Sequence, residues 1–132
     1  MKALDTNVLI RFLVKDDEKQ ANTVYKIFKK AEMNKDTLFV PLLVVLEVVW
    51  VLESVYDVTR QEVLDSFESL LLMPILKFEA QVAVRRFILS ARESNLDLPD
   101  LLIATSAQLS GCDSVLTFDM AASKSKLFML IK

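Results

Sequence analysis

The chain has no histidine, one glycine and one cysteine among its 132 residues. The absence of histidine excludes Ser-His and Cys-His catalysis and removes the commonest zinc ligand. A single glycine cannot build the glycine-rich loops of P-loop and dinucleotide folds, and it disfavours a hairpin-rich all-β fold. The lone Cys112 cannot form an intrachain disulfide, and no signal peptide is recognisable at the start of the sequence. We therefore expect a cytoplasmic protein.

Long hydrophobic runs and an excess of positive charge are also missing. The most apolar stretch, Leu38–Leu52, is interrupted by Pro41 and Glu47 and is shorter than the roughly 20 residues of a spanning helix, so no membrane association is expected. The net charge of −2 argues against nucleic-acid binding through a broad basic field. It does not exclude a metal-assisted nuclease, because divalent cations partly neutralise an acidic pocket.

Hydrophobic residues make up 53% of the sequence. The length of the chain suits a single domain over residues 1–132. So much apolar surface in a small domain favours association, most simply a homodimer. Short apolar runs alternate with segments long enough for helices, the pattern of a parallel, helix-covered sheet. Five strands are predicted, at Lys2–Leu4, Leu38–Val40, Ile75–Phe78, Ser114–Phe118 and Phe128–Ile131.

Helices are predicted between these strands from apolar stripes and capping residues. Thr59 and Glu62 have the spacing of a capping box, and Gly111 is placed to end a helix in the left-handed conformation. The valines after Pro41 leave a buried strand as the alternative there. The predicted helices are Asp17–Lys35, Pro41–Ser54, Thr59–Leu72, Glu79–Asn95 and Asp97–Ser110.

Two aspartates directly follow predicted strands. Asp5 follows the first strand and Asp119 the fourth. Ligands of open α/β sheets bind at the carboxyl ends of the strands, so both side chains could face one cation there. The alternative is that each carboxylate caps the following helix, and for Asp5 the two interpretations carry equal weight.

Three further acids are candidates. Asp97 and Asp100 open a helix, where Asp97 is expected to be the cap and Asp100 to point inward. Glu47 lies between Leu43–Leu46 and Val48–Leu52 and is interpreted as a buried carboxylate that needs a cation, since burying it unpaired costs several kcal/mol. The alternative is an exposed stripe on a helix that is otherwise covered.

These acids, in a chain without histidine, favour all-oxygen coordination of Mg²⁺ or Mn²⁺. The predicted catalytic and metal-binding residues are Asp5, Glu47, Asp100 and Asp119, with Asp97 as a further metal ligand. Hydrogen bonds from Asn7 and Thr117 could orient the ligating acids; the alternative is that both side chains bond only within their local turns.

Arg11 is a candidate for binding a substrate phosphate; the alternative is that it lies on a helix face exposed to solvent. For Arg85 and Arg92 the solvent-exposed face is the preferred interpretation.

Four stretches from the first strand to the last carry a family resemblance. They are Asp5-Thr6-Asn7-Val8-Leu9 followed by Arg11, Glu47 within Leu46–Leu52, Asp97–Ala104, and Thr117-Phe118-Asp119 followed by Ala121-Ala122. The chain resembles the PIN-domain nucleases and, within them, the VapC-type toxin ribonucleases of bacterial VapBC toxin-antitoxin pairs. Pro99 and Met120 depart from the residues usual at their positions in the family, but neither removes an acid.

The resemblance implies a three-layer α/β/α sandwich around a mostly parallel five-stranded sheet. It also implies a Mg²⁺- or Mn²⁺-dependent endoribonuclease that leaves a 5′-phosphate, forms a homodimer and is inhibited by a small antitoxin. Two other functions remain open. One is a metal-dependent phosphatase or phosphoacceptor domain, although no second acid follows Asp5 two positions on. The other is a catalytically silent interaction module of the same fold.

Overall fold

Five short parallel strands alternate with helices along the chain, in the order that the sequence pattern predicts. The computed structural model describes residues 1–132. They separate into two units, Met1–Gln81 and Val82–Lys132, each of which is described by itself.

The first unit contains a three-stranded parallel sheet in the order β1-β2-β3. Leu38 at the start of β2 pairs with Lys2 on one side and with Leu76 on the other. Because all three strands run in the same direction, their carboxyl ends lie at one edge of the sheet. The elements are β1 (Lys2–Ala3), α1 (Thr6–Val14), α2 (Glu18–Asn34), β2 (Leu38–Val40), α3 (Leu42–Ser54), α4 (Arg60–Leu71) and β3 (Leu76–Phe78).

The second unit contains a two-stranded parallel sheet in which Val115 of β4 lies opposite Phe128 of β5. Ala104, Ala122 and Phe128 form a small buried cluster, against which Leu96, Val115 and Leu127 pack. The elements are α5 (Gln81–Arg92), α6 (Leu98–Leu109), β4 (Val115–Thr117), a 3-10 helix (Ala122–Lys124) and β5 (Phe128–Leu130).

The α/β fold with five parallel strands is therefore confirmed. One detail differs, because the strands pair as a group of three and a group of two rather than as one continuous sheet. Each strand has only two or three residues, so few backbone groups are available for pairing. The single-domain organisation over residues 1–132 stays a prediction.

Local capping explains why the predicted helix bounds agree with the structure to within a few residues. Asp17 accepts the backbone N–H of Gln20 at 3.0 Å, and Thr59 accepts that of Glu62 at 3.2 Å. Gly111, with φ +93°, follows the end of α6 as predicted. With only one glycine available, α2 ends on Lys35 in the left-handed conformation, at φ 55°.

Apolar burial holds each helix in place, since a fully buried Val, Leu or Phe side chain contributes about 1.5–3 kcal/mol. No helix combines the length and the apolar character that crossing a membrane requires. Fully buried side chains of the first unit include Leu9, Ile10, Val40, Val45, Leu52, Leu64, Phe67 and Leu70, and those of the second include Phe87, Leu98, Leu101 and Leu102.

Candidate functional site

Asp119 is held by the turn that follows β4. Its backbone N–H donates to the Thr117 hydroxyl at 3.0 Å, and its Oδ1 accepts the N–H of Ala121 at 2.9 Å. A longer contact of 3.5 Å joins the same oxygen to the N–H of Ala122, the first residue of the 3-10 helix. Thr117 therefore bonds to the backbone of Asp119 rather than to its carboxylate, as the local-turn alternative stated. One carboxylate oxygen fixes the turn and the other is left for a ligand.

Asp97 occupies the N-cap position of α6, as expected, but its carboxylate makes no capping hydrogen bond. The expected capping role of this side chain is therefore wrong. Pro99 lies in the first turn, where it lacks the N–H that an N-cap side chain often accepts. The exposed Asp97 carboxylate therefore makes no hydrogen bond to the first turn of α6.

Asp100, one helical turn further on, is half-buried. Partial burial raises the pKa of its carboxyl above the ordinary value, and the negative charges of Asp97 and Asp119 raise the pKa further. All three side chains line one cleft of about 460 Å³ within the second unit. The structure therefore brings together three of the five predicted acids, from the start of α6 and the end of β4.

The cleft also contains polar groups that the sequence analysis did not select. Asn95, Lys124 and Ser125 line it beside the three aspartates. Lys124 is the only basic residue among them. No motif singled out this lysine, because its place in the cleft depends on the 3-10 helix after Asp119.

The two remaining acids lie in the first unit. Asp5 follows β1 and caps α1, where its Oδ1 accepts the N–H of Thr6 at 2.8 Å, so the capping role is present. Asp5 is exposed at the carboxyl edge of the three-stranded sheet. Within either unit, no three carboxylates lie close enough together to hold one metal ion. The complete ligand set that includes Asp5 and Glu47 stays a prediction.

Glu47 corrects an expectation, because it is exposed rather than buried. It belongs to one stripe of α3, in which Leu43 is 79% exposed and Trp50 is 55% exposed. The buried face of the same helix is formed by Val45, Val48, Val49 and Leu52. Because apolar residues occupy both faces of α3, the hydrophobic pattern does not distinguish the exposed face from the buried one. The exposed-stripe alternative was the right one.

Glu79 was also missed as a polar group at the carboxyl edge of this sheet. It directly follows β3, and its Oε1 accepts the N–H of Leu42 at 3.0 Å. Leu42 is the first residue of α3, whose N-cap Pro41 offers no side-chain bond. Glu79 therefore caps the helix that carries Glu47. The signal that could have found it is the one used for Asp5 and Asp119, an acid directly after a strand.

Arg11 lies in a hydrogen-bonded network on the first unit. Its Nε donates to Gln20 at 2.6 Å, and its Nη1 contacts the Tyr56 hydroxyl at 3.2 Å and Asp16 at 3.3 Å. The Tyr56 hydroxyl in turn donates to Asp16 at 3.0 Å. The hydrogen bond that Arg11 donates to Tyr56 and the charge of Asp16 raise the pKa of Arg11, so it stays a cation. Phosphate binding by Arg11 stays a prediction. In the structure, Arg11 links α1 to Gln20 of α2 and to Tyr56 through its hydrogen bonds.

Replacing Tyr56 with phenylalanine is expected to lower the free energy of unfolding by about 1 kcal/mol, because the hydroxyl bridges Arg11 and Asp16 at a half-buried position. Urea unfolding measures the change. Tyr25→Phe is the matched control, since Tyr25 is 55% exposed and its hydroxyl makes no hydrogen bond. Equal effects of the two substitutions would contradict a stabilising role for the bridge.

Comparison with known proteins places the chain in a family. The PIN domain profile matches residues 2–124, so the chain belongs to the PIN domain family, as the sequence resemblance predicted. The chain is also similar to a VapC ribonuclease of Aquifex aeolicus (strain VF5), with 30% identity over 118 residues. That alignment covers 89% of this chain and 87% of the relative. The acids of all four predicted motifs fall inside the matched range.

Proposed function

We propose that this protein is a divalent-cation-dependent endoribonuclease whose active site includes the cleft of Asp97, Asp100 and Asp119. The observation that carries the proposal is that Asp97, Asp100 and Asp119 line one cleft in a PIN domain. In the protein alone the three carboxylates do not form a preassembled metal cluster, so a bound cation would have to draw them together. Similarity to a protein named as a VapC ribonuclease supports RNA as the substrate.

The donor chemistry of the cleft fits Mg²⁺ or Mn²⁺. Both ions prefer oxygen ligands, and carboxylates are their usual protein ligands. Burial, and to a smaller extent repulsion by the charges of Asp97 and Asp119, raises the pKa of Asp100 in the protein alone. A bound cation would relieve that repulsion. When bound, such an ion supplies a water of lowered pKa and stabilises negative charge on the phosphoryl group.

The chain's own residues have distinct tasks in this proposal. Asp119 would hold the cation through the carboxylate oxygen that does not accept the N–H of Ala121, and Asp100 would ligate from the start of α6. Asp97 is free of the capping bond and is available to join them. In the first unit, Asp5 and Glu47 would also act as metal ligands, with Asn7 and Arg11 as polar groups toward the substrate. One of the carboxylates would accept a proton from the attacking water.

The relative's name also supports a biological setting. We propose that the protein is the toxin of a type II toxin-antitoxin pair, that it works in the cytoplasm and that a small antitoxin inhibits it. The exposed free Cys112 fits a reducing compartment. Exposed apolar residues on α3, Leu43 and Trp50, fit the proposed homodimer or another protein partner.

A panel of substrates tests the activity. The purified protein is incubated with labelled single-stranded RNA, with DNA of the same sequence and with an aryl phosphate, in Mg²⁺ or Mn²⁺. Internal RNA cleavage with 5′-phosphate ends is the expected result. Hydrolysis of the aryl phosphate alone, or a phosphorylated aspartate, would instead identify a phosphatase or phosphoacceptor. Inactivity on every substrate would favour a silent interaction module.

A further inference from the structure

Lys124 is the one basic side chain that lines the acidic cleft. It is exposed, and its ammonium group makes no ion pair with Asp97, Asp100 or Asp119. A lysine beside three carboxylates that neutralises none of them directly is free to bind an anion that enters the cleft.

The turn that positions Asp119 also positions Lys124. The Asp119 carboxylate accepts the backbone N–H of Ala121, the residue before the 3-10 helix, and Lys124 is the last residue of that helix. Ala122, between them, is 2% exposed and packs against Ala104 and Phe128. The backbone N–H of Ser125 donates to the carbonyl oxygen of Ala122 at 3.0 Å. The lysine backbone is therefore fixed relative to Asp119 by the hydrogen-bonded turn and by the buried Ala122.

The negative charge of the cleft explains why a lysine there would assist substrate binding. Three ionised aspartates repel a phosphodiester, which is itself an anion. One divalent cation would offset only part of the negative charge of the proposed site. Lys124 is the one lining side chain that adds a positive charge for an incoming phosphodiester.

We propose that Lys124 binds a backbone phosphate of the RNA strand in this cleft, next to the bond that is cleaved. This inference rests on the proposed function, since it assigns a substrate contact within the same site. Lys124 would act as a compact positive charge on the phosphate oxygens, without reading the base.

The test compares Lys124→Ala with Lys126→Ala. Lys126 is also exposed, lies two residues further along and is not part of the cleft lining. Binding of a fluorescent single-stranded RNA is measured by anisotropy at several salt concentrations, with Ca²⁺ in place of Mg²⁺, and KM for cleavage is measured in Mg²⁺. Circular dichroism confirms that both variants are folded.

We expect Lys124→Ala to weaken RNA binding by about five-fold and to raise KM to a similar extent. The slope of log affinity against log salt should fall by about 0.7, the value for one phosphate contact on a single strand. Lys126→Ala should change each quantity by less than half as much. Equal effects of the two variants, or an unchanged salt slope for Lys124→Ala, would overturn the assignment of Lys124.

The outcomes also separate this inference from the proposed function. RNA binding that depends on Lys124 without any cleavage would support the phosphate contact and contradict the endoribonuclease. Cleavage that is indifferent to Lys124 would support the endoribonuclease and contradict the contact. A wild-type protein that neither binds nor cleaves RNA would contradict both.

Discussion

Replacing Asp100 with asparagine is expected to lower the rate of RNA cleavage by at least about 100-fold, the usual cost of losing a group that stabilises charge in the transition state. Asp100 is the most buried of the three aspartates in the cleft, and it is close enough to the other two for their charges to raise its pKa. The amide keeps the size of the side chain but removes the negative charge that Mg²⁺ or Mn²⁺ needs. Single-turnover cleavage of a labelled RNA measures the effect.

The same substitution should not destabilise the metal-free protein. The folded-state pKa of Asp100 is raised above its value in the unfolded chain, so the folded protein binds its proton more tightly. The resulting stability is fully present below the unfolded pKa and is lost as the pH rises through the folded pKa. Above that pH range the ionised carboxylate is less favourable in the folded protein than in the unfolded chain. Asp100→Asn should melt at the same temperature as the wild type or slightly above it.

Asp113→Asn is the matched control for this substitution. Asp113 is exposed, lies before β4 and does not line the cleft. Its removal changes the net charge of the protein by the same amount. Cleavage by Asp100→Asn at the rate of the Asp113→Asn protein would remove Asp100 from the active site.

The second large effect is stabilisation by metal. Mn²⁺ at 100 times its dissociation constant should stabilise the folded protein by about 2.7 kcal/mol. For a chain of 132 residues this corresponds to a rise in melting temperature on the order of 10 °C. The physical reason is that the cation binds the carboxylates only where the fold brings them together. Differential scanning fluorimetry with and without Mn²⁺ measures the shift.

Asp100→Asn should lose most of this thermal shift, whereas Asp113→Asn should retain it. A shift of equal size in both variants would mean that Mn²⁺ stabilises the protein elsewhere. No shift in the wild type at millimolar Mn²⁺ would contradict cation binding in the cleft.

Much of the fold could be predicted from the sequence, because local signals determine it. All five strands appear where short apolar runs were found, and the capping residues Asp17 and Thr59 start the helices they were expected to start. Gly111 follows its helix with the positive φ that the sequence indicated. The pairing of the strands into a group of three and a group of two depends on contacts between distant segments, which no local pattern records.

The candidate site was predicted in part. Asp97, Asp100 and Asp119 share a cleft, but the expected capping bond of Asp97 is absent, and Pro99 in the first turn has no N–H to donate to it. Glu47 was interpreted as buried because its neighbours are apolar, whereas Leu43 and Trp50 lie on the same exposed stripe. Glu79 could have been found because it directly follows β3, as Asp5 and Asp119 follow their strands. Lys124 gave no usable signal, since its place in the cleft depends on the 3-10 helix.

The central claim is that the acidic cleft holds a divalent cation with which this PIN domain hydrolyses RNA. Its most direct test is the rate of RNA cleavage by the wild type and by Asp119→Asn, after treatment with a chelator and during titration with Mn²⁺. We predict no cleavage in the chelator, a saturable recovery with Mn²⁺, and a half-saturating Mn²⁺ concentration at least about ten-fold higher for Asp119→Asn. Undiminished cleavage in the chelator, or the same Mn²⁺ requirement for both proteins, would contradict the claim.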